Sequence, residues 1–147
     1  MNKYSAKLDL FKNKDMRIPS KKHFKNLVQI VSNDQQKSIF VSIKCVKKIE
    51  MIRLNKLYRN INKETNVLAF PFRGPFVNQE IKNFIGDLAI CYETVIQESI
   101  QEKKTILYHF SHIIIHGILH LIGFDHLNDS SAKKMESLEQ KLLLISN

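Results

Sequence analysis

An apolar run over residues 113–124, interrupted by His116, Gly117 and His120, sets the terms on which this chain can fold. It falls short of the roughly 20 residues that a membrane span needs, so it reads as a helix buried inside a folded domain. A helix apolar on most sides must be covered on most sides, and the rest of the chain has to supply the cover. At 147 residues the chain suits one domain over 1–147, large enough to bury about two-thirds of its unfolded surface. Hydrophobic residues at 44%, charged residues at 25% and only 4 Gly and 3 Pro exclude a disordered or fibrous chain.

The covering elements are readable in outline. A strand is expected over 5–11. Ser20 is placed to cap a helix in which Phe24, Leu27, Val28 and Val31 recur at helical spacing. Ile39, Val41, Ile43 and Cys45 alternate with Phe40, Ser42 and Lys44, which predicts a strand with one buried face. A helix follows in which Ile49, Ile52, Leu54, Leu57 and Tyr58 form the apolar positions up to Arg59, and then residues 60–66 turn polar. Short strands over 66–72 and 85–92 flank a loop over 73–83, around Arg73, Gly74 and Pro75, long enough to move or to line a cleft. Helices are expected over 93–103, 105–122 and 130–145, the last capped by Asp129 or Ser130. Early strands interrupted and followed by helices predict an α+β fold: a small mixed sheet covered by helices, with the histidine helix packed near its centre, an arrangement that is zincin-like with a central metal-binding helix if the histidine spacing holds an ion.

Charge and cysteines narrow the setting. A net charge of +9 favours polyanionic partners, although 19 Lys against 4 Arg is also what an AT-rich coding bias produces. Cys45 and Cys91 show no CxxC spacing and suit a reducing, cytoplasmic location. The first 15 residues contain no signal-peptide core.

The chemistry is concentrated in the run from His116 through Gly117, His120 and Gly123 to His126. His116 and His120 are four residues apart, so on a helix their imidazoles share one face and can grip one metal. Gly123 can adopt the left-handed conformation that ends a helix, which lets His126 return to the same ion. Three imidazoles with an open fourth position are what a catalytic zinc site needs, since zinc acidifies bound water to a pKa near 7. The spacing matches HExxHxxGxxH of the metzincin peptidases, but Gly117 stands where those enzymes carry their general base, Glu. His112 lies one turn before His116 and reads as an ordinary helical residue or as a hydrogen-bond partner of a ligand. His109 and His23 read as surface or packing residues. Asp125 either orients a histidine or accepts a proton, or else caps the local backbone. Arg59 is either a solvated arginine or a phosphate-binding one.

The complete signature HGxLHLxGyDH, with Phe124 in the aromatic place, resembles that of the YbeY family of bacterial rRNA maturation endoribonucleases. Three upstream blocks agree: Leu54-Asn55 through Tyr58-Arg59, Thr65 through Pro71, and Gly86-Asp87-Leu88-Ala89-Ile90. Ala69 stands where Ser is usual and Asn66 where Asp is frequent. The resemblance implies a metal-dependent, single-strand-specific endoribonuclease of ribosomal RNA processing, including the 3′ end of small-subunit rRNA, and of ribosome quality control. Carried over by position, His116, His120 and His126 would bind one Zn2+, with Ni2+ as another ion that imidazoles suit, and Arg59 would act in the catalytic cleft. Implied partners are single-stranded RNA, the small ribosomal subunit, one of its proteins and an assembly GTPase, with no membrane. Two other readings compete: a non-catalytic, metal-stabilised ribosome assembly factor, and a zincin peptidase, which the missing Glu opposes.

Overall fold

A computed structural model describes residues 3–74 and 82–146. The elements run β1 (Ala6–Phe11), α1 (Lys21–Gln35), β2 (Ile39–Val46), α2 (Lys48–Arg59), β3 (Val67–Pro71), β4 (Phe84–Cys91), α3 (Tyr92–Gln101), α4 (Ile106–Leu121) and α5 (Asp129–Ser146). The strands form one sheet in the order β1-β2-β4-β3. β2 lies parallel to both β1 and β4, and β3 joins the other edge antiparallel to β4. The expected mixed α+β class is therefore observed. Most of the expected loop over 73–83, including Pro75, lies outside the described residues.

Local chemistry explains the helix boundaries. Ser20 accepts a hydrogen bond from the His23 backbone N–H and Thr105 accepts one from Tyr108 N–H, each satisfying a donor that the first helical turn leaves free. The cap of α5 is neither Asp129 nor Ser130 but Asn128, whose Oδ1 accepts from the Ser131 N–H at 2.9 Å while the Ser131 hydroxyl oxygen accepts from the Asn128 N–H at 3.2 Å. This reciprocal pair places the start of α5 one residue earlier than its sequence spacing suggests.

One face of the sheet carries the main core. Val41, Ile43, Leu88 and Ile90 pack there with Phe24, Leu27 and Val31 of α1, Phe110, Ile114, Ile115 and Ile118 of α4, and Leu142 of α5. Each such side chain contributes about 1.5–3 kcal/mol when fully withdrawn from water. Phe24 and Phe110 stack with centroids 6.2 Å apart and lock α1 to α4. The apolar run is thus central: α4 touches the sheet and α1, α3 and α5. Among the described residues no helix is long and apolar enough to cross a membrane.

The opposite face is more thinly covered: a small cluster, Val46, Met51, Leu68, Ala89 and Cys91, lies beneath α2, and Phe40 is buried against Phe84 away from that helix. Here the pattern-based expectation for α2 needs correction. Ile49, Leu57 and Tyr58 are 84%, 66% and 62% exposed, whereas Met51 and Asn55 are the buried residues of the helix. Asn55 is inside because its Nδ2 donates to the Lys63 carbonyl at 2.8 Å, anchoring the polar segment that leads to β3. Cys45 and Cys91 are both free and buried, and burial pushes the Cys45 thiol up to about 12, which suppresses the reactive thiolate.

Candidate metal centre

The last two turns of α4 present His116 and His120 on one face. Their rings meet edge-on, with centroids 4.5 Å apart and planes at 78°, and their Nε2 atoms are 3.0 Å apart. Gly123, with φ of +109°, occupies the left-handed region that glycine enters without strain, and the chain turns back. His126 then lies with its ring centroid 4.9 Å from that of His120 and 5.9 Å from that of His116. One nitrogen from each of the three lies within 4.8 Å of the others. Imidazole nitrogens bound tetrahedrally to one zinc ion would sit roughly 3.3 Å apart, so the donor set fits such an ion with small adjustments of His126.

The protonation of His120 is biased toward the neutral, ligating form. Burial first, and then the neighbouring His116 and His126, hold the His120 imidazole below its usual value of 6.5. His116 is oriented from behind by Glu139 of α5, whose Oε1 accepts from Nδ1–H at 2.5 Å. That bond assigns the proton to Nδ1 and leaves Nε2 free to face His120. The other carboxylate oxygen accepts from His112 Nε2–H at 2.9 Å. Burial disfavours the charge on Glu139, but the hydrogen bonds from His112 and His116 outweigh it and bring the carboxyl down to about 2.

Glu139 is the residue that sequence reasoning missed. It lies 23 positions from His116 in another helix, and its only sequence trace is a glutamate among the apolar positions of α5. His112 correspondingly is the partner of a partner rather than an ordinary helical residue.

Arg59 enters the site from the end of α2. It lines a cavity of about 390 Å³ with His116, His120, His126, Thr65 and Asn66, and it makes no ion pair among the described residues. Asn60, in the left-handed conformation at φ 57°, ends α2 and frees the polar segment to lead back to β3. Asp125 does not line this cavity, although its charge is felt by His126 and His120. Its carboxylate is bonded to the Ser131 hydroxyl and accepts from the Leu127 N–H at 3.2 Å, contacts that hold it below the usual carboxylate range. It lines a neighbouring shallow pocket with Ser131 and Lys134. The structure thus brings together His116, His120, His126 and Arg59, and uses Asp125 to brace the turn that carries His126.

A second cluster adjoins the first across a cavity of about 470 Å³ that reaches both. His109, only 3% exposed, is a packing residue as expected, and its Nε2 lies 2.9 Å from Glu98 Oε1. Glu98 also accepts from Asn66 Nδ2 at 3.2 Å, tying β3 to α3 and α4. An aspartate at position 66 would set two carboxylates against each other, so the asparagine found here suits this contact. Glu102 completes a His/Glu group with donor atoms close enough for a cation, but it also pairs with Lys104 at 3.4 Å.

Gly117 explains why the peptidase base has no counterpart here. A Cβ at this position would come within 2.9 and 3.0 Å of the two terminal methyl carbons of Leu88 and 3.4 Å of Val67. The missing side chain is what lets α4 lie directly on β3 and β4.

The chain is similar to known proteins over most of its length. The sequence model of one family, described as Endoribonuclease YbeY, matches residues 10–146. An Endoribonuclease YbeY from Colwellia psychrerythraea is 40% identical over 131 residues, which cover 86% of this chain and 83% of the relative. A Thermotoga maritima protein solved in solution is similar with a TM-score of 0.62 and 25% identity, covering 93% of this chain and 85% of its own.

Proposed function

The chain belongs to the YbeY endoribonuclease family and is a hydrolase of phosphodiester bonds; from that premise we propose a metal-dependent, single-strand-specific endoribonuclease that acts in ribosomal RNA processing, at the 3′ end of small-subunit rRNA, and in ribosome quality control. The observation that carries this reading is the shared cavity of three convergent imidazoles and the Arg59 guanidinium. On this reading residues 1–147 act as a single cytoplasmic domain with a zincin-like arrangement of sheet and histidine helix. Its partners are the small ribosomal subunit, one of the subunit's proteins and an assembly GTPase.

His116, His120 and His126 would hold one Zn2+, with Ni2+ also compatible with three imidazoles. When bound, the ion supplies Lewis acidity toward a phosphate oxygen and acidifies water. The protein's own groups do the rest. Arg59 offers a planar fork of donors that matches phosphate oxygens and stabilises charge developing on the phosphoryl group. Glu139 keeps the Nε2 of His116 turned toward the site, and burial disfavours a charge on His120. Asp125 serves by holding the His126 turn, its carboxylate being engaged with Ser131 and Leu127. The attacking oxygen is then either the RNA 2′-hydroxyl, which leaves a cyclic phosphate, or water, which does not.

The test is cleavage of single-stranded RNA by the wild type and by His116→Ala, purified in parallel. Loss of cleavage in a variant with a native melting curve supports the proposal, and equal cleavage by both proteins refutes it. The assembly-factor reading draws on the net charge of +9; it predicts that His120→Ala unfolds the protein instead of only silencing it.

A further inference from the structure

The second face of the sheet is unusually open for its two central strands. Lys44 of β2 and Asp87 of β4 are exposed although each strand has neighbours on both sides, because α2 covers only the end of that face near Val46 and Cys91. The uncovered part forms a groove of about 510 Å³, within the range of small-ligand sites. Tyr58 and Leu54 of α2 form one wall, Phe70 of the edge strand β3 another, and Ser42, Lys44 and Asp87 the floor. Tyr58 meets Phe70 edge to face with centroids 4.9 Å apart, yet stays 62% exposed. The Asp87 carboxylate has no hydrogen bond and no ion pair among the described residues.

Resting on the RNA-cleaving reading above, we infer that this groove binds a guanine base of the single-stranded substrate, away from the bond that is cut. Three observations identify the occupant. An exposed aromatic wall such as Tyr58, backed by the half-buried Phe70, is what unpaired bases stack on, while the bases of a duplex present no free faces. A carboxylate is an acceptor-only group with two oxygens, and the guanine Watson–Crick edge offers two adjacent N–H donors. Ser42 and Lys44 supply donors for the base's O6 and N7 acceptors. Continuity with the cleavage site fixes the connection. Val67 and Ala69 of β3 line the histidine cavity whereas Phe70 of the same strand lines the groove, and in the last turn of α2 Arg59 serves the cavity while Tyr58, its neighbour, serves the groove. A single strand bent around this sheet edge reaches both, and the +9 net charge draws its backbone to the surface.

Fluorescence anisotropy with a single-stranded RNA of about 12 nucleotides, carrying one guanine or inosine in its place, tests the inference alongside cleavage of a dinucleotide too short to span both sites. The wild type is expected to prefer guanine over inosine, which lacks the second donor. Tyr58→Ala is expected to weaken binding of the longer strand about tenfold, Tyr58→Phe to restore most of it, and Asp87→Asn to erase the guanine preference, all with dinucleotide cleavage unchanged. Wild-type binding and base preference retained in both Tyr58→Ala and Asp87→Asn, in proteins that still cleave RNA, overturn the groove assignment and leave that face to a protein partner. A wild type that neither binds nor cleaves RNA overturns the underlying reading, and the inference with it.

Discussion

On one face of the sheet Ile43, Leu88 and Ile90 lie under α1, α4 and α5 and are essentially inaccessible; on the other, Lys44 and Asp87 of the same two strands stand in solvent. The difference follows from the helices. α4 is apolar nearly all round and can only be satisfied inside, so the first face is sealed. α2 has one narrow buried strip around Met51 and Asn55, so the second face is half covered. Close packing on the sealed side holds two candidate ligands at fixed spacing on a helix that cannot shift. The open side offers area, aromatic faces and unpaired polar groups, which suit the recognition of a flexible strand.

That contrast can be broken by experiment. The largest effect is expected for Ile118→Ala, a fully buried side chain of α4, which should cost about 2–5 kcal/mol in urea unfolding; a loss below 1 kcal/mol would mean that the sealed face is not tightly packed. Next comes Glu139→Gln, which keeps the shape of the side chain but removes the charge that orients His116. Zinc affinity, measured by competition with a chelator, should fall about 10- to 100-fold, and the metal-free protein should also lose stability, because the amide has one oxygen to accept what two carboxylate oxygens accept from His112 and His116. A smaller signal concerns acid. Burial holds His23, bonded to Ser111 at 2.7 Å between α1 and α4, below 6.5, so the unfolded chain takes up the proton more readily. The stability this site contributes is complete above pH 6.5 and declines as pH falls through the lower folded value; His23→Gln should flatten that part of a stability–pH curve. The smallest effect is expected for Ile49→Ala on the open side, within about 0.5 kcal/mol of wild type, and a loss of 2 kcal/mol or more would show that something covers α2.

Much of the sealed side was legible in the chain because it is periodic. The alternation in β2, the Ser20 cap, the central placement of α4 and the turn at Gly123 all follow from residue types at fixed spacing. What escaped was whatever depends on distant pairing. Glu139 looks like any helical glutamate until α5 docks against α4. Asn55 resembles a surface residue, and it is buried because one carbonyl eight residues on accepts its amide hydrogen. The stripe of Ile49, Leu57 and Tyr58 has helical period but faces outward, since hydrophobic spacing gives the phase of a helix and not the element it packs on. Arg59 lines the cavity of the histidines, a placement that composition and spacing alone could not give, since they left it either a solvated arginine or a phosphate-binding one.

The contact between Gly117 and Leu88 also bears on redesign. Three histidines in this order are shared with a class of peptidases, and one glutamate is the chemical step between the two ligand patterns. In this scaffold that step meets volume as well as chemistry, because a Cβ at position 117 would require the terminal methyl carbons of Leu88, packed between helix and sheet, to shift. A compensated pair of substitutions, Leu88→Ala with Gly117→Glu, relieves that contact, and the two positions should show energetic coupling in a double-mutant cycle. The catalytic repertoire open to such a site by single substitutions is thus limited by how closely its helix lies on its sheet.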